Sequence, residues 1–202
     1  MKADVRSSRR PAAPDRRKPI LYVTLGVIAI ALVVTVAILS RNPSVVPQAA
    51  TETHVQSKIK VGDAAPPFAV ATTAGPFDLT TTKTPVFLEV FATWCPHCQR
   101  ETKILNSLYG KFGKQINFVA VSGSNVGIDE NTPESQADVI GFVQKFNVTY
   151  PVAFDPELKV AGAYLQSGYP TIVIIKADKT ISYIGDGELT EPTLETAIKT
   201  AL

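Results

Sequence analysis

Cysteine and histidine are scarce in these 202 residues, with two of each, and Met and Trp occur once apiece. Two cysteines cannot form the disulfide framework that staples a small secreted scaffold. A structural zinc site wants four ligands, and one of the two histidines lies between the cysteines, so metal binding is disfavoured. Glycine and proline, 12 and 15 residues, fall well short of a collagen-like or low-complexity composition. The hydrophobic content of 45% excludes wholesale disorder. No internal repeat is present. Net charge is also small, 20 Lys+Arg against 18 Asp+Glu, but the sum conceals two regions of opposite sign. At roughly 100 to 200 residues per domain, the length predicts one domain plus an extension.

The extension is at the N-terminus. Residues 1–18 carry seven basic side chains against Asp4 and Asp15, a local balance of +5. From Ile20 to Leu39 there is no charge, and only Thr24, Gly26 and Thr35 fall outside the apolar set. Twenty residues at about 1.5 Å each make roughly 30 Å of helix, the thickness of the hydrocarbon core. Residues 19–39 are therefore expected to be one N-terminal transmembrane helix. Basic residues stay on the cytoplasmic side, which places the chain beyond Arg41 on the extracytoplasmic face, periplasmic or outer. A cleaved signal peptide has a shorter apolar region and a small-x-small site, and Ala37-Ile38-Leu39-Ser40-Arg41 offers no such pair. The reading is an uncleaved single-pass signal-anchor. Residues 40–57, with Pro43, Pro47 and scattered Ser, Thr and Gln, read as a flexible linker in which His54 has no assigned role.

Residues 58–202 alternate β-rich and helical patterns, the signature of an α/β domain. Val86 to Phe91 is a nearly continuous apolar run that suits a strand covered on both faces. A helix is expected over Pro96 to Gly113, from the spacing of Ile104, Leu105, Leu108 and Phe112. Ile116 to Val121 is the next strand. Thr132-Pro133-Glu134 reads as an N-cap with proline in the first turn, opening a helix whose apolar face is Val139, Ile140, Val143 and Phe146. Asp155-Pro156 repeats that device for a short helix ending at Tyr164. Thr171 to Ile175 and Thr180 to Ile184 are strands of a hairpin. Thr190 caps a last helix with Leu194, Ile198 and Leu202 inward. Ahead of these, Phe68 to Leu79, with Gly75-Pro76 between short apolar stretches, predicts an extra N-terminal β-hairpin.

Trp94-Cys95-Pro96-His97-Cys98 falls where the buried strand gives way to a helix. A thiol there meets unpaired backbone N–H groups and the positive end of the helix dipole, so its thiolate is stabilised. That makes Cys95 the candidate nucleophile. Cys98, three residues on, shares its helical face and can attack a mixed disulfide formed by Cys95. Pro96 suits the first turn, and a protonated His97 adds positive charge in favour of the thiolate. A purely structural disulfide would close so short a loop that it removes little chain entropy.

These residues resemble the thioredoxin-fold thiol-disulfide oxidoreductases, and within them the membrane-anchored TlpA/ResA-like group of the redoxin (AhpC/TSA) superfamily. The resemblance spans residues 58–202. Val61-Gly62-Asp63-Ala64-Ala65-Pro66-Pro67-Phe68 is similar to the opening of that group and of peroxiredoxins, Phe91 to Cys98 resembles the active-site motif, and Gly168-Tyr169-Pro170-Thr171 resembles the cis-proline turn. The implied fold is a central mixed sheet flanked by helices. The resemblance also implies a redox-active Cys95–Cys98 disulfide, with no cofactor. Glu89, a carboxylate in an otherwise apolar strand, occupies the family's acidic position under the active site and is expected to exchange the proton of Cys98. Glu101, on the face of Cys98, resembles an active-site glutamate of ResA-like proteins. Pro170 is expected to be cis and, with Tyr169 and Thr171, to meet substrate backbone, while Trp94 shields the sulfurs.

The direction of exchange stays open. The TlpA/ResA-like frame implies a reductant kept reduced by a membrane electron donor and serving cytochrome c maturation. Cys-Pro-His-Cys instead matches DsbA-type oxidants, although the 71 residues between motif and cis-proline leave no room for their inserted helical domain. Protein thiols and disulfides are the implied substrates in either case. A peroxiredoxin-like peroxidase shares the Ala-Pro-x-Phe opening, but the closely spaced cysteines argue against it. A non-catalytic chaperone or metallochaperone on the same fold is the remaining class. Residues 58–202 hold 12 basic and 15 acidic side chains, a balance of −3 that implies no nucleic-acid role.

Overall fold

The computed structural model describes residues 59–202. The basic segment, the apolar run expected to cross a membrane and the linker with His54 all lie outside the described residues. Among the described residues no helix is long and apolar enough to span a bilayer.

Seven strands form one mixed sheet: β1 (Ala69–Thr72), β2 (Gly75–Asp78), β3 (Val86–Phe91), β4 (Asn117–Ser122), β5 (Val152–Phe154), β6 (Thr171–Ile175) and β7 (Ile181–Asp186). Their spatial order is β2-β1-β5-β4-β3-β6-β7. β3 runs parallel to β4, and β4 to β5, while the pairs β3–β6, β6–β7, β1–β2 and β1–β5 are antiparallel. Among the described residues the helices are α1 (Pro96–Phe112), α2 (Gln136–Lys145), α3 (Lys159–Tyr164) and α4 (Glu191–Ala201). This is the α/β arrangement expected, with the extra hairpin in place.

Alternation along β3 divides the core. Phe87 and Phe91 face one side, where they pack with Leu105, Leu108, Phe142, Leu194 and Ile198 of α1, α2 and α4. Leu88 and Val90 face the other, against Val160, Ala161 and Tyr164 of α3. Each fully buried side chain of this size stabilises the fold by about 1.5 to 3 kcal/mol. Phe87 stacks on Phe118 at 4.6 Å between ring centroids, and Phe91 meets Phe142 at 4.8 Å. The period-2 rule puts Glu89 on the same face as Phe87 and Phe91, the face that α1 covers. β3 therefore aims one carboxylate at the helix that carries the cysteines.

Several boundaries differ from the expectations, each for a local reason. α2 is capped by Ser135, not Thr132. Asp138 N donates to Ser135 Oγ at 3.3 Å and Ser135 N donates to Asp138 Oδ2 at 2.9 Å, a reciprocal capping box that outcompetes the Thr-Pro signal. Ile140 is exposed, outside the apolar face assigned to it, because the buried face of α2 runs through Val139 and Phe142. Leu202 is likewise exposed, because α4 ends at Ala201. The Asp155 carboxylate does serve α3, accepting from Lys159 N, Val160 N and Ala161 N at 2.8 to 3.0 Å. It reaches them because Leu158 adopts a left-handed conformation, φ 53°, that turns the chain back. In the hairpin, Thr72 pairs with Gly75, so the turn falls at Thr73-Ala74 and Gly75-Pro76 opens the second strand. Tyr164 Oη ties the opposite core layer to the entry segment by donating to Pro66 O.

Candidate active site

The site lies where β3 ends. After Phe91 the chain turns through Ala92, Thr93 and Trp94, and Cys95 becomes the N-cap of α1 with Pro96 in its first turn. Cys95 N donates to Ala92 O at 3.1 Å, which closes the turn. The Cys95 sulfur takes the place of a capping oxygen: Cys98 N donates to it at 3.3 Å. As a thiol it also donates to Tyr169 O at 3.5 Å, from the loop before β6. Both cysteines are free thiols and both are buried.

Their environments push the two thiols apart. The Cys98 thiol donates to the Cys95 sulfur, and the N–H groups of Cys98 and His97 and the charge of His97 add to this. Against some burial, they bring Cys95 from the ordinary 9.0 down to about 6. Cys98 moves strongly upward, first because it is buried, then because its proton is held by Cys95 and because Glu89 and Cys95 carry negative charge. At neutral pH the dithiol is thus one thiolate, at Cys95, and one thiol, at Cys98, the division of labour that thiol exchange requires.

Two carboxylates lie in the core beneath. Burial raises Glu89 well above the usual carboxylate range, and the charges of Glu101 and Cys95 add to it. Glu101 is completely buried. Its Oε1 accepts from Leu189 N at 2.9 Å, and its Oε2 is buried without a hydrogen-bond partner. Burial lifts it to about 7, opposed by the Leu189 N–H and assisted by Glu188 and Cys95. Tyr150 is buried and raised beside Glu89, Glu101 and Cys98.

The rim comes from the first turns of α1 and from four loops. His97 is exposed, and its Nδ1 sits 3.0 Å from Glu188 Oε2 and 2.7 Å from Arg100 Nη2. Glu188 accepts from Arg100 Nη2 at 2.7 Å, and its hydrogen bonds to Arg100 first and His97 second hold its carboxyl below the usual range. Trp94 Nε1 donates to Ser124 Oγ at 2.9 Å, and its ring meets Tyr169 edge-on at 5.9 Å. Tyr169 Oη donates to Gly123 O at 2.5 Å. The Tyr169–Pro170 peptide is cis, and Pro170 O accepts from Gly187 N at 2.8 Å, where φ of 77° calls for glycine.

Sequence reasoning named Cys95, Cys98, Glu89, Glu101, Trp94, Pro96, His97, Tyr169 and Pro170, and all of them meet at this one end of the sheet. Thr171 is placed differently. It is buried, its hydroxyl accepting from Gln166 N at 3.1 Å and donating to Gly168 O at 2.9 Å, so its side chain braces the proline loop instead of facing outward. Arg100, Glu188, Ser124 and Glu134 were missed. The Ser135-x-x-Asp138 capping box was the available signal for Glu134: it moves the helix start downstream and frees Glu134 to turn inward.

Comparison with known proteins agrees with this geometry. Residues 61–184 match the AhpC/TSA family. The thiol-disulfide oxidoreductase ResA of Bacillus cereus is 30% identical over 143 residues, 69% of this chain and 78% of ResA. The ResA of Bacillus subtilis is 33% identical over 107 residues, 52% of this chain and 55% of that protein. Among solved structures, a Chlorobium tepidum protein assigned as the thiol:disulfide interchange protein DsbE superposes with a TM-score of 0.61 at 26% identity, covering 71% of this chain and 98% of that one. StoA of Bacillus subtilis shares the fold at a TM-score of 0.56 and 20% identity, covering 68% and 98%. The fold is the thioredoxin fold, and the chain belongs to the AhpC/TSA family as a ResA-like thiol-disulfide oxidoreductase.

Proposed function

We propose that the protein is a membrane-tethered, extracytoplasmic reductase of protein disulfides, with Cys95 as nucleophile and Cys98 as resolving thiol. The observation that carries this reading is the asymmetry of the pair: the Cys95 sulfur holds the N-cap of α1 and accepts the Cys98 N–H, while Cys98 is fully buried and keeps its proton under the influence of its burial, of Cys95 and of Glu89.

The Cys95 thiolate attacks one sulfur of a substrate disulfide, forming a mixed disulfide and expelling the first substrate thiolate. Cys98 then gives its proton to the Glu89 carboxylate, and its sulfur attacks Cys95 Sγ. The Cys95–Cys98 disulfide forms and the second substrate thiolate leaves. Two electrons pass from the enzyme dithiol to the substrate disulfide, and the two substrate thiolates take up protons. Glu89 suits the role because a carboxylate raised by burial is a stronger base than one in water. Glu101 shares that buried charge and tunes it. The Tyr169–Pro170 loop, with Trp94, forms the wall along which the substrate chain lies. A membrane electron donor returns the pair to the dithiol state, and cytochrome c maturation is the pathway implied by the ResA-like resemblance. The charge-free run Ile20–Leu39 behind a basic segment supports the anchor and its orientation.

A DsbA-like oxidant is the second reading, favoured by His97 beside the Cys95 thiolate. Known potentials of thioredoxin and DsbA differ by about 150 mV, roughly 7 kcal/mol for two electrons. Equilibrating the Cys95–Cys98 pair with glutathione decides between them: a strongly negative potential supports the reductase, and a value near that of DsbA overturns it. For topology, protease protection in vesicles is the direct test, and a domain on the cytoplasmic face rejects the anchor orientation.

A further inference from the structure

The turn that delivers Cys95 hangs on a carboxyl group from a distant part of the chain. Glu134 lies between β4 and α2, 39 positions after Cys95, and is 8% exposed. Its Oε1 accepts from Thr93 Oγ1 at 2.8 Å, from Ser122 Oγ at 2.8 Å and, more weakly, from Thr93 N at 3.4 Å. Its Oε2 is buried with no hydrogen-bond partner. Ser122 is the last residue of β4 and pairs with Phe91, the last of β3. One oxygen atom thereby joins the ends of two neighbouring central strands to the residue two before the nucleophile.

Thr93 has no freedom left on its other side. Its carbonyl accepts from Gln99 Nε2 at 3.0 Å, a side chain of α1. The same β4–α2 connection also holds Trp94 through Ser124 and Tyr169 through Gly123. A buried carboxyl used on one oxygen only is a costly way to fill space. The hydroxyls of Thr93 and Ser122 and the backbone N–H groups of Thr93 and Ser124 converge on this carboxylate and explain its retention as a fixed point for the turn.

We propose that Glu134 is a positioning residue for the nucleophile: through Thr93 it fixes the Ala92–Trp94 turn and so sets the approach of the Cys95 sulfur to the Cys98 N–H. It touches neither sulfur and takes no part in proton transfer. The inference rests on Cys95 being the reactive thiol.

The test is the pH profile of iodoacetamide alkylation of the reduced full chain, with the modified cysteine identified by mass spectrometry, for wild type, Glu134→Ala, Glu134→Gln and Thr93→Val. Loss of the fixed point moves the midpoint for Cys95 upward and slows its alkylation at pH 6 about tenfold in Glu134→Ala and Thr93→Val, the change expected when the thiolate fraction falls by one decade. Glu134→Gln keeps an acceptor oxygen and restores the rate to within about threefold. A merely structural role would lower thermal stability and leave the midpoint where it was. Folded Glu134→Ala and Thr93→Val proteins with the wild-type midpoint at Cys95 overturn the inference and leave the nucleophile assignment standing. Should Glu134→Ala fail to fold, Thr93→Val, close to isosteric, decides alone by the same criterion. Alkylation falling first on Cys98 overturns the nucleophile assignment, and the inference with it.

Discussion

Cys98 faces Cys95 with two groups at once, a backbone N–H 3.3 Å from the sulfur and a thiol that donates to the same atom. The contact that lowers one thiol raises the other, so the residue that stabilises the attacking thiolate is also the one that later displaces it. Separating the two contributions is feasible. Cys98→Ser keeps an N–H and a hydroxyl donor, and the expected outcome is a mixed disulfide with substrate that persists on a non-reducing gel while turnover is lost. Cys98→Ala keeps only the N–H, and the midpoint of Cys95 alkylation rises above the value near 6. Cys95→Ser accumulates no mixed disulfide, and one that formed anyway through Cys98 would reject the order of attack.

Glu89→Gln removes the proton acceptor and leaves the shape of the core unchanged. Formation of the mixed disulfide should stay within about threefold of wild type, whereas its resolution slows on the order of 100-fold or more, the usual scale of general-base catalysis. Rapid-mixing kinetics with a chromogenic disulfide separates the steps. Equal slowing of both steps would place Glu89 among packing residues.

The buried carboxylates and the nucleophile act on stability with opposite signs. Glu101 is raised from 4.5 to about 7, so the folded state holds its proton more tightly than the unfolded chain does. Its contribution is complete below pH 4.5 and disappears as pH rises through 7. Glu89 acts in the same direction. Cys95, lowered from 9.0 to about 6, contributes above pH 9 and loses that contribution as pH falls through 6. Urea midpoints of the dithiol form should therefore show Glu101→Gln flattening the decline between pH 4.5 and 7, with the rise between pH 6 and 9 preserved. An unchanged profile below pH 7 would show that Glu101 does not titrate there.

Asp155→Ala leaves three N–H groups at the start of α3 without their acceptor. The expected loss is about 2 kcal/mol, or roughly 4 to 8 °C in Tm for a domain of this size, with Asp155→Asn intermediate because its single carbonyl oxygen still accepts. Differential scanning calorimetry is the measurement, and a change under about 1 °C would show that solvent substitutes for the carboxylate.

Much of the domain was legible because its signals are local. The run Val86 to Phe91 and the cysteines after it fix a strand, a turn and a helix start within 13 residues, and Glu89 stands out there as the one charge in an apolar run. What escaped was a matter of competition or distance. Thr132-Pro133 and Ser135-x-x-Asp138 both read as helix starts, and nothing in their spacing says that the reciprocal hydrogen bonds of the second prevail. The Leu158 conformation that lets Asp155 reach α3 has no residue-type signature, since glycine or asparagine is the usual occupant of that region. Arg100, Glu188 and Glu134 are ordinary surface-type residues in the chain. They belong to the site only because β3, β4 and β7 end near one another, which depends on strand order and on no single stretch of sequence.

The hydrogen bond from Leu189 N to Glu101 Oε1 connects a backbone amide in the β7–α4 loop to a carboxyl group sealed in the core. Adding or removing the proton on Glu101 changes the field at that N–H more than at any group exposed to water. The Leu189 cross-peak in a nitrogen–proton correlation spectrum is thus a built-in indicator, one resonance whose drift with pH, and with the oxidation of two sulfurs it does not touch, reads the electrostatic state of the interior from outside.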